Sequence, residues 1–460
     1  MPTSSSRTKK RKQKVSVEQD WPLIHPDAAG VDLGSREHWV AVPPGRAAQS
    51  VRRFGTFTPD LEALAQWLRE CRIRTVAMEA TGVYWIPLFQ LLERQGFTVL
   101  LVNARQIKNV SGRKSDVQDC QWIQRLHSYG LLGASFRPAD AYCVMRSYLR
   151  YRDELVAGRG TQTQHMQKAL TQMNVQLGQV LSDVNGQSGL AIIGAILQGE
   201  RNPLKLAGLA SVRVKASQER IARALIGDYR AEHLFQLKIA FELYETYAAK
   251  IAECEQELAR ELERLPDRVD PNVKPLPARA QPNKNLEESL RLGLYRKLGV
   301  DVTAVEGIGA VAALTLLTEV GPDLSRFKSE KHFASWLGLC PDNRISGGKV
   351  LSCQTRRVVN RLSDVLRLAA TTLERSQSAL GAYYRRMKAK LGAAPGITAT
   401  AHKLARILYR LLKHGEDYVR QGMADYEKKH HQRQLNHLNK LAASMGYGLV
   451  QNQTLAPSVS

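Results

Sequence analysis

Asp32, Glu79, Asp116 and Asp119 are the residues best placed to do chemistry in this chain, and all four lie in its first quarter. Asp32 interrupts the apolar run Gly30-Val31-Asp32-Leu33-Gly34, and Glu79 interrupts Val76-Ala77-Met78-Glu79-Ala80-Thr81-Gly82. Asp116 and Asp119 follow three residues apart in Lys114-Ser115-Asp116-Val117-Gln118-Asp119, where a helix is expected to begin; at i and i+3 they share one helical face. Carboxylates gathered together repel unless a cation or a proton compensates. Taken singly, each has an ordinary explanation, because acidic residues near a helix start serve as caps or dipole partners. Two of them set in apolar strands are costly to bury without a use. Four converging carboxylates could hold two Mg²⁺ ions, one beside an attacking oxygen and one beside a leaving oxygen of a phosphodiester.

The rest of the chain suits such a substrate. Lys and Arg number 66 against 43 Asp and Glu, giving a formal charge of +23 over 460 residues. That excess favours an anionic polymer, since each neutralised phosphate releases condensed counterions. No apolar stretch is long enough to span a bilayer and no signal-peptide pattern opens the chain, so a soluble, cytoplasmic, nucleoid-associated protein without membrane partners is expected. Cys71, Cys120, Cys143, Cys254, Cys340 and Cys353 form no Cys-x-x-Cys pair, which argues against a zinc ribbon and a disulfide framework. The eleven His residues show no metal-ligand spacing.

The elements that must position the acidic residues follow from patterning. Residues 1–26 carry Arg7, Lys9, Lys10, Arg11, Lys12 and Lys14 among polar residues and read as a disordered tail. From 27 to 140 the order is three strands, then helix, strand, helix, strand: an α/β arrangement of the ribonuclease H type. Thr58 is expected to cap the first helix. Residues 141–265 read as helical, and Leu237, Phe241, Tyr244, Ala248, Ile251, Glu255, Leu258, Leu262 and Leu265 repeat at coiled-coil spacing. That seam fits self-association or a long helix packed within the chain; the charged flanks favour the first. A proline-rich linker is expected at 266–284, a mainly helical domain at 285–425, and a loose polar tail at 426–460.

Two further segments bear on phosphate chemistry. Val305-Glu306-Gly307-Ile308-Gly309 before a small-residue helix is like the second half of a helix-hairpin-helix, where backbone N–H groups meet a DNA phosphate. Gly307 and Gly309 would equally permit a tight turn. In Arg344-Ile345-Ser346-Gly347-Gly348-Lys349, glycines would admit a phosphate close to the backbone, and Arg344 and Lys349 would stabilise an attacking Ser346 alkoxide. A polar turn explains the same residues.

Together these segments closely resemble the DEDD-type transposases of bacterial insertion sequences. These combine a RuvC-like N-terminal domain with a serine-bearing C-terminal transposase domain, and the pilin-gene invertases are relatives. The matching stretches are residues 31–34, 78–82, 114–122, 305–309 and 345–349, and their order and separation match over residues 28–415. The resemblance implies a RuvC-like fold and Asp32, Glu79, Asp116 and Asp119 as the Mg²⁺ ligands. It also implies Ser346 as a nucleophile forming a phosphoserine link, a bridge RNA from the element's noncoding end as guide, and a homo-oligomer, dimer or tetramer, on donor and target DNA. In such proteins the two sites meet between protomers. One departure stands out: many relatives continue past the Ser-Gly-Gly-Lys with a glycine-containing loop and Lys-x-Gly, whereas Val350-Leu351-Ser352-Cys353-Gln354-Thr355-Arg356-Arg357 follows here. The rival readings are a RuvC-like junction nuclease using metal-activated water, a site-specific invertase, and a non-catalytic nucleic-acid-binding assembly protein.

Overall fold

Short runs of Val, Ala, Met and Leu, broken by Gly, Pro and charged residues, form one five-stranded sheet in a computed structural model that describes residues 22–80, 82–103, 116–276 and 285–449. The chain divides into two compact units, one ending at Arg137 and the other beginning at Pro138. The basic run from Arg7 to Lys14, Lys114 and Ser115 of the acidic motif, Pro277 and Pro282 of the proline-rich stretch, and the last residues of the tail lie outside the described residues.

In the first unit the strands are β1 (Ala28–Leu33), β2 (Glu37–Ala41), β3 (Val51–Gly55), β4 (Thr75–Glu79) and β5 (Thr98–Val102), in the spatial order β3-β2-β1-β4-β5. β1, β2 and β3 pair antiparallel, and β1-β4 and β4-β5 pair parallel. Parallel partners need a crossover, and α1 (Thr58–Glu70) and α2 (Trp85–Arg94) supply it. Alternation decides the faces. Ala29, Val31, Leu33, Val76 and Met78 share a core with Leu61, Leu64 and Leu68 of α1 and with Leu88 and Leu92 of α2. The opposite face takes α3 (Asp116–Ser128), whose Ile123 packs with Ala77, Val102 and Leu132. Thr58 is the first helical residue of α1 and not its cap. Phe57 is the cap residue, and the Asp60 carboxylate accepts its backbone N–H at 3.2 Å. The start of the unit is anchored too, because the N–H groups of Ile24 and His25 both donate to the Ser128 carbonyl at 2.9 Å.

The second unit is built on a long helical pair, α4 (Asp140–Gln172) and α8 (Ala231–Arg264). Arg152 pairs with Glu255, Gly158 lies against Tyr247, and the Arg159 guanidinium sits 5.8 Å from the Tyr244 ring centre, so the helices run antiparallel. The seam expected for self-association is therefore largely occupied within the chain: Leu237, Ile251, Leu258, Leu262 and Leu265 are buried, and its polar member Glu255 accepts from Arg152 at 2.6 Å. Between these helices, α5 (Gln187–Leu197), α6 (Pro203–Gly208) and α7 (Gln218–Ala224) close a separate core around Ile192, Ile193, Ile196, Leu206 and Met173.

Beyond α8 the chain stays tied down where a loose linker was expected. Arg268 N donates to Arg296 O at 2.8 Å, the Lys297 ammonium meets Asp267 at 2.8 Å, and the Tyr295 hydroxyl donates to Lys274 O. Prolines remove donors here without removing order, because carbonyls and acids still find partners on α9 (Asn285–Leu298). The remaining helices are α10 (Ala310–Val320), α11 (Glu330–Trp336), α12 (Arg361–Thr372), α13 (Ala379–Leu391), α14 (Ala393–His414) and α15 (Glu416–Ser444). α15 replaces the first half of the expected loose tail. Its residues are good helix formers, and composition alone conceals this. Between α11 and α12 stands a two-stranded hairpin, β6 (Arg344–Ser346) and β7 (Lys349–Ser352).

Candidate active site: an acidic sheet edge and a serine hairpin

Asp32 lies near the carboxyl end of β1 and Glu79 at the carboxyl end of β4. Val31 faces Met78 in the parallel register, so the next residues, Asp32 and Glu79, stand level on neighbouring strands and point to one face. That is the α3 face, since Val31 and Met78 belong to the opposite core. The carboxyl ends of parallel strands are where α/β sheets place ligands.

Gly30 fixes how α3 comes down on this face. A Cβ at Gly30 would sit 2.7 Å from Gln124 Cα, and closer still to the Gln124 nitrogen and the Cys120 carbonyl. Backbone therefore packs on backbone, and the Gln124 side chain holds the contact by donating to Ala28 O at 3.4 Å and Ser128 Oγ at 2.9 Å. Gly30 precedes Asp32 by two residues, and Cys120 directly follows Asp119. The close approach thus carries the first turn of α3, with Asp116 and Asp119, to the level of Asp32.

The electrostatics register that gathering. The half-buried Asp32 carboxyl is pushed up to about 6, first by burial and then by the charges of Asp116, Asp119 and Glu79. The Cys120 thiol is pushed up to about 12, again by burial first and by Asp32 next, which makes it an inert packing group. A cation would relieve the repulsion among these oxygens, and hard oxygen donors suit Mg²⁺. Among the described residues, though, no three His, Cys, Asp or Glu side chains close around a point that could hold a metal ion. The acids share a neighbourhood and are not clenched into a finished cage.

Ser346 belongs to the second unit, at the end of β6. It pairs with Lys349 across the two-residue turn Gly347-Gly348, whose φ values of +54° and +76° demand glycine. Arg344, Ser346 and Lys349 are all exposed, and among the described residues no hydrogen bond engages the Ser346 hydroxyl. Gly307, at φ +85°, is pressed against α12, where a Cβ would meet Ala369 O at 3.0 Å. Exposed Gly309 caps α10 with no side chain over the helix start. Glu306 beside this turn accepts from the Ser376 hydroxyl. The glycine turn therefore has a packing role, and at the helix start Gly309 is exposed while Ala310 is buried.

Sequence reasoning did not single out Gly30, Glu37, Trp39 or Arg53, which frame the acidic set. A signal existed in the small-residue run Ala28-Ala29-Gly30, which marks close approach of another element.

Known proteins bear on the whole arrangement. Residues 29–175 match the family model DEDD_Tnp_IS110, described as Transposase, and residues 301–385 match Transposase_20, described as Transposase IS116/IS110/IS902 family. The first match spans the sheet and all four acids; the second spans the glycine turn and the Ser346 hairpin. The chain belongs to the DEDD-type transposases of insertion sequences. It is similar to the Sinorhizobium fredii (strain NBRC 101917 / NGR234) protein named "Putative transposase y4pF/y4sB", at 35% identity over 147 residues. That alignment covers 29% of this chain and 36% of the relative, so the chain spans about a third of the length of the curated relative it matches. Among the described residues no helix is long and apolar enough to cross a membrane.

Proposed function

We propose that this protein is a recombinase that moves an insertion sequence by cutting and rejoining DNA. The observation that carries the reading is the level placement of Asp32 and Glu79 on adjacent parallel strands, under the helix start that bears Asp116 and Asp119. On this reading the first unit is RuvC-like, and Asp32, Glu79, Asp116 and Asp119 hold two Mg²⁺ ions. When bound, the ions would neutralise charge at a phosphodiester and orient it. Ser346 is the nucleophile. Its oxygen forms a bond to phosphorus as the sugar oxygen leaves, the hydroxyl proton passing to a base or solvent, and the phosphoserine link conserves a high-energy bond for rejoining. Exposure of Ser346 at a glycine-turned hairpin tip supports access to a backbone phosphate, and Arg344 and Lys349 are the adjacent cations. A guide RNA and assembly as a dimer or tetramer complete the proposal.

The competing reading, a junction nuclease using metal-activated water, makes Ser346 a turn residue. Ser346→Ala separates the two. The expected result is loss of DNA cleavage and of any protein–DNA covalent adduct on denaturing gels, with the fold unchanged. Cleavage and strand exchange persisting in Ser346→Ala would sink the serine mechanism. For guidance, RNA copurifying with the protein is sequenced; recovery of none from the element's noncoding flank removes that part of the proposal.

A further inference from the structure

One row of side chains runs across the sheet beyond the acidic pair. Trp39 on β2 is the register partner of Asp32, and Arg53 on β3 is the register partner of Trp39. Directly paired residues on neighbouring strands point to the same face. Glu79, Asp32, Trp39 and Arg53 therefore stand side by side on the face that carries the acids. Arg53 is at the open edge, two strand spacings or about 10 Å from Asp32.

Glu37 joins the outer two. It precedes Trp39 by two residues, so it shares that face; its Oε1 accepts the Trp39 Nε1–H at 3.1 Å, and its Oε2 meets Arg53 Nη1 at 3.2 Å. The guanidinium lies 6.0 Å from the Trp39 ring centre. Trp39 is half-buried, whereas the Arg53 side chain is 62% exposed. A lone surface ion pair contributes little stability and needs no indole beneath it. An arginine held by a carboxylate on one nitrogen and backed by an aromatic plane is instead the arrangement that pre-orients a planar fork for a phosphate.

We infer that Arg53 is a phosphate clamp for the DNA strand that enters the acidic site, gripping a phosphate a few nucleotides from the scissile one. Trp39 and Glu37 are positioning residues that act through it. The inference rests on the reading of Asp32, Glu79, Asp116 and Asp119 as the strand-cutting site. The chain's charge of +23 favours a polyanionic ligand, and an arginine beyond the carboxylates gives a strand drawn toward them a matching cation.

The test measures binding of a short fluorescein-labelled single-stranded DNA to the full-length protein across a salt series, with RNA of the same sequence in parallel. Arg53→Gln is expected to weaken DNA binding roughly tenfold at low salt and to lower the slope of log affinity against log salt by about one. Arg53→Lys should restore part of the affinity. Trp39→Ala should weaken binding alone but add nothing in the Arg53→Gln background, and Trp39→Phe, which keeps a ring, should bind nearly as the parent does. Unchanged affinity and slope in Arg53→Gln would overturn the clamp. So would a full additional loss from Trp39→Ala in the Arg53→Gln background, or a loss confined to RNA. The underlying reading is tested separately: Asp32→Asn retaining DNA cleavage removes the cutting-site assignment, whatever the Arg53 variants do to binding.

Discussion

Replacing Asp32 by Asn should abolish DNA cleavage and at the same time stabilise the metal-free protein. The Asp32 carboxyl ionises near 6 in the fold against an ordinary 3.8, because burial and three neighbouring carboxylates disfavour its charge. A folded value raised above the unfolded one gives stability that is fully present below 3.8 and lost as pH rises through 6. The gap corresponds to about 3 kcal/mol as a ceiling; partial exposure of the group screens it to roughly 1–2 kcal/mol. Asn is isosteric and uncharged, so in chelator at pH 7 Asp32→Asn should unfold later by about that amount, a rise of roughly 3–4 °C per kcal/mol for a unit ending at Arg137. Near pH 4 the two proteins should converge. Added millimolar Mg²⁺ should raise the melting temperature of the parent and leave the variant unmoved, because ligand binding to the native state stabilises by mass action. The measurement is calorimetry or tryptophan fluorescence from pH 4 to 7, with and without chelator. A variant less stable than the parent at pH 7 in chelator, or equal stabilisation of both by Mg²⁺, would refute the picture of a strained acidic cluster awaiting a cation.

Other expectations follow from the same structure. The His127 imidazole is lowered to about 4, by burial first and His25 second, while its Nε2 shares a 2.9 Å hydrogen bond with Thr75 Oγ1. Here stability is present above 6.5 and is lost as pH falls toward 4, opposite in sign to Asp32. In the Asp32→Asn background, His127→Gln should therefore flatten the acid limb of the unfolding curve. Gly30→Ala should cost at least about 2 kcal/mol in denaturant unfolding, because its new carbon meets the backbone of α3; a neutral effect would deny the close approach. Arg291 and Asp301, each 2% exposed, form a buried pair at 2.5 Å. Asp301→Ala should cost about 3–5 kcal/mol, and adding Arg291→Met should recover part of that loss in the same urea titration. Gly348→Val should strain the hairpin by about 1–2 kcal/mol, reducing DNA cleavage while the global unfolding midpoint barely moves.

The sheet is legible in the sequence because its strands include short apolar runs and its turns carry Pro and Gly, as at Pro43-Pro44-Gly45. Both strand acids stand out because each breaks an apolar run, and the structure sets them level. Less legible features depend on partners distant in sequence. The stretch 266–276 reads as a linker because prolines suggest one, yet Arg296, Lys297 and Tyr295 tie it to α9. The seam on α8 is readable as a seam, but nothing in its period tells α4 from a second copy of the chain. Glu37, Trp39 and Arg53 are invisible as a group because register, which residue pattern alone does not specify, brings them together.

The α4–α8 pair has a mechanical consequence. At 33 residues α4 is roughly 50 Å long, and at its base Arg146 and Arg150, one turn apart, both pair with Glu319 of α10. Arg146 also donates to the Thr318 and Glu319 carbonyls, and Asp153 of α4 meets Arg361 of α12 at 2.8 Å, so the base of the helix is held from more than one side. Beyond Arg150 the helix runs on for roughly 33 Å to Gln172, where Met166, Ala169 and Leu170 join the core of α5, α6 and α7. The pair is thus a strut fastened at its base and carrying a separate core at its far end, so Glu319→Gln would remove one fastening and leave the others in place.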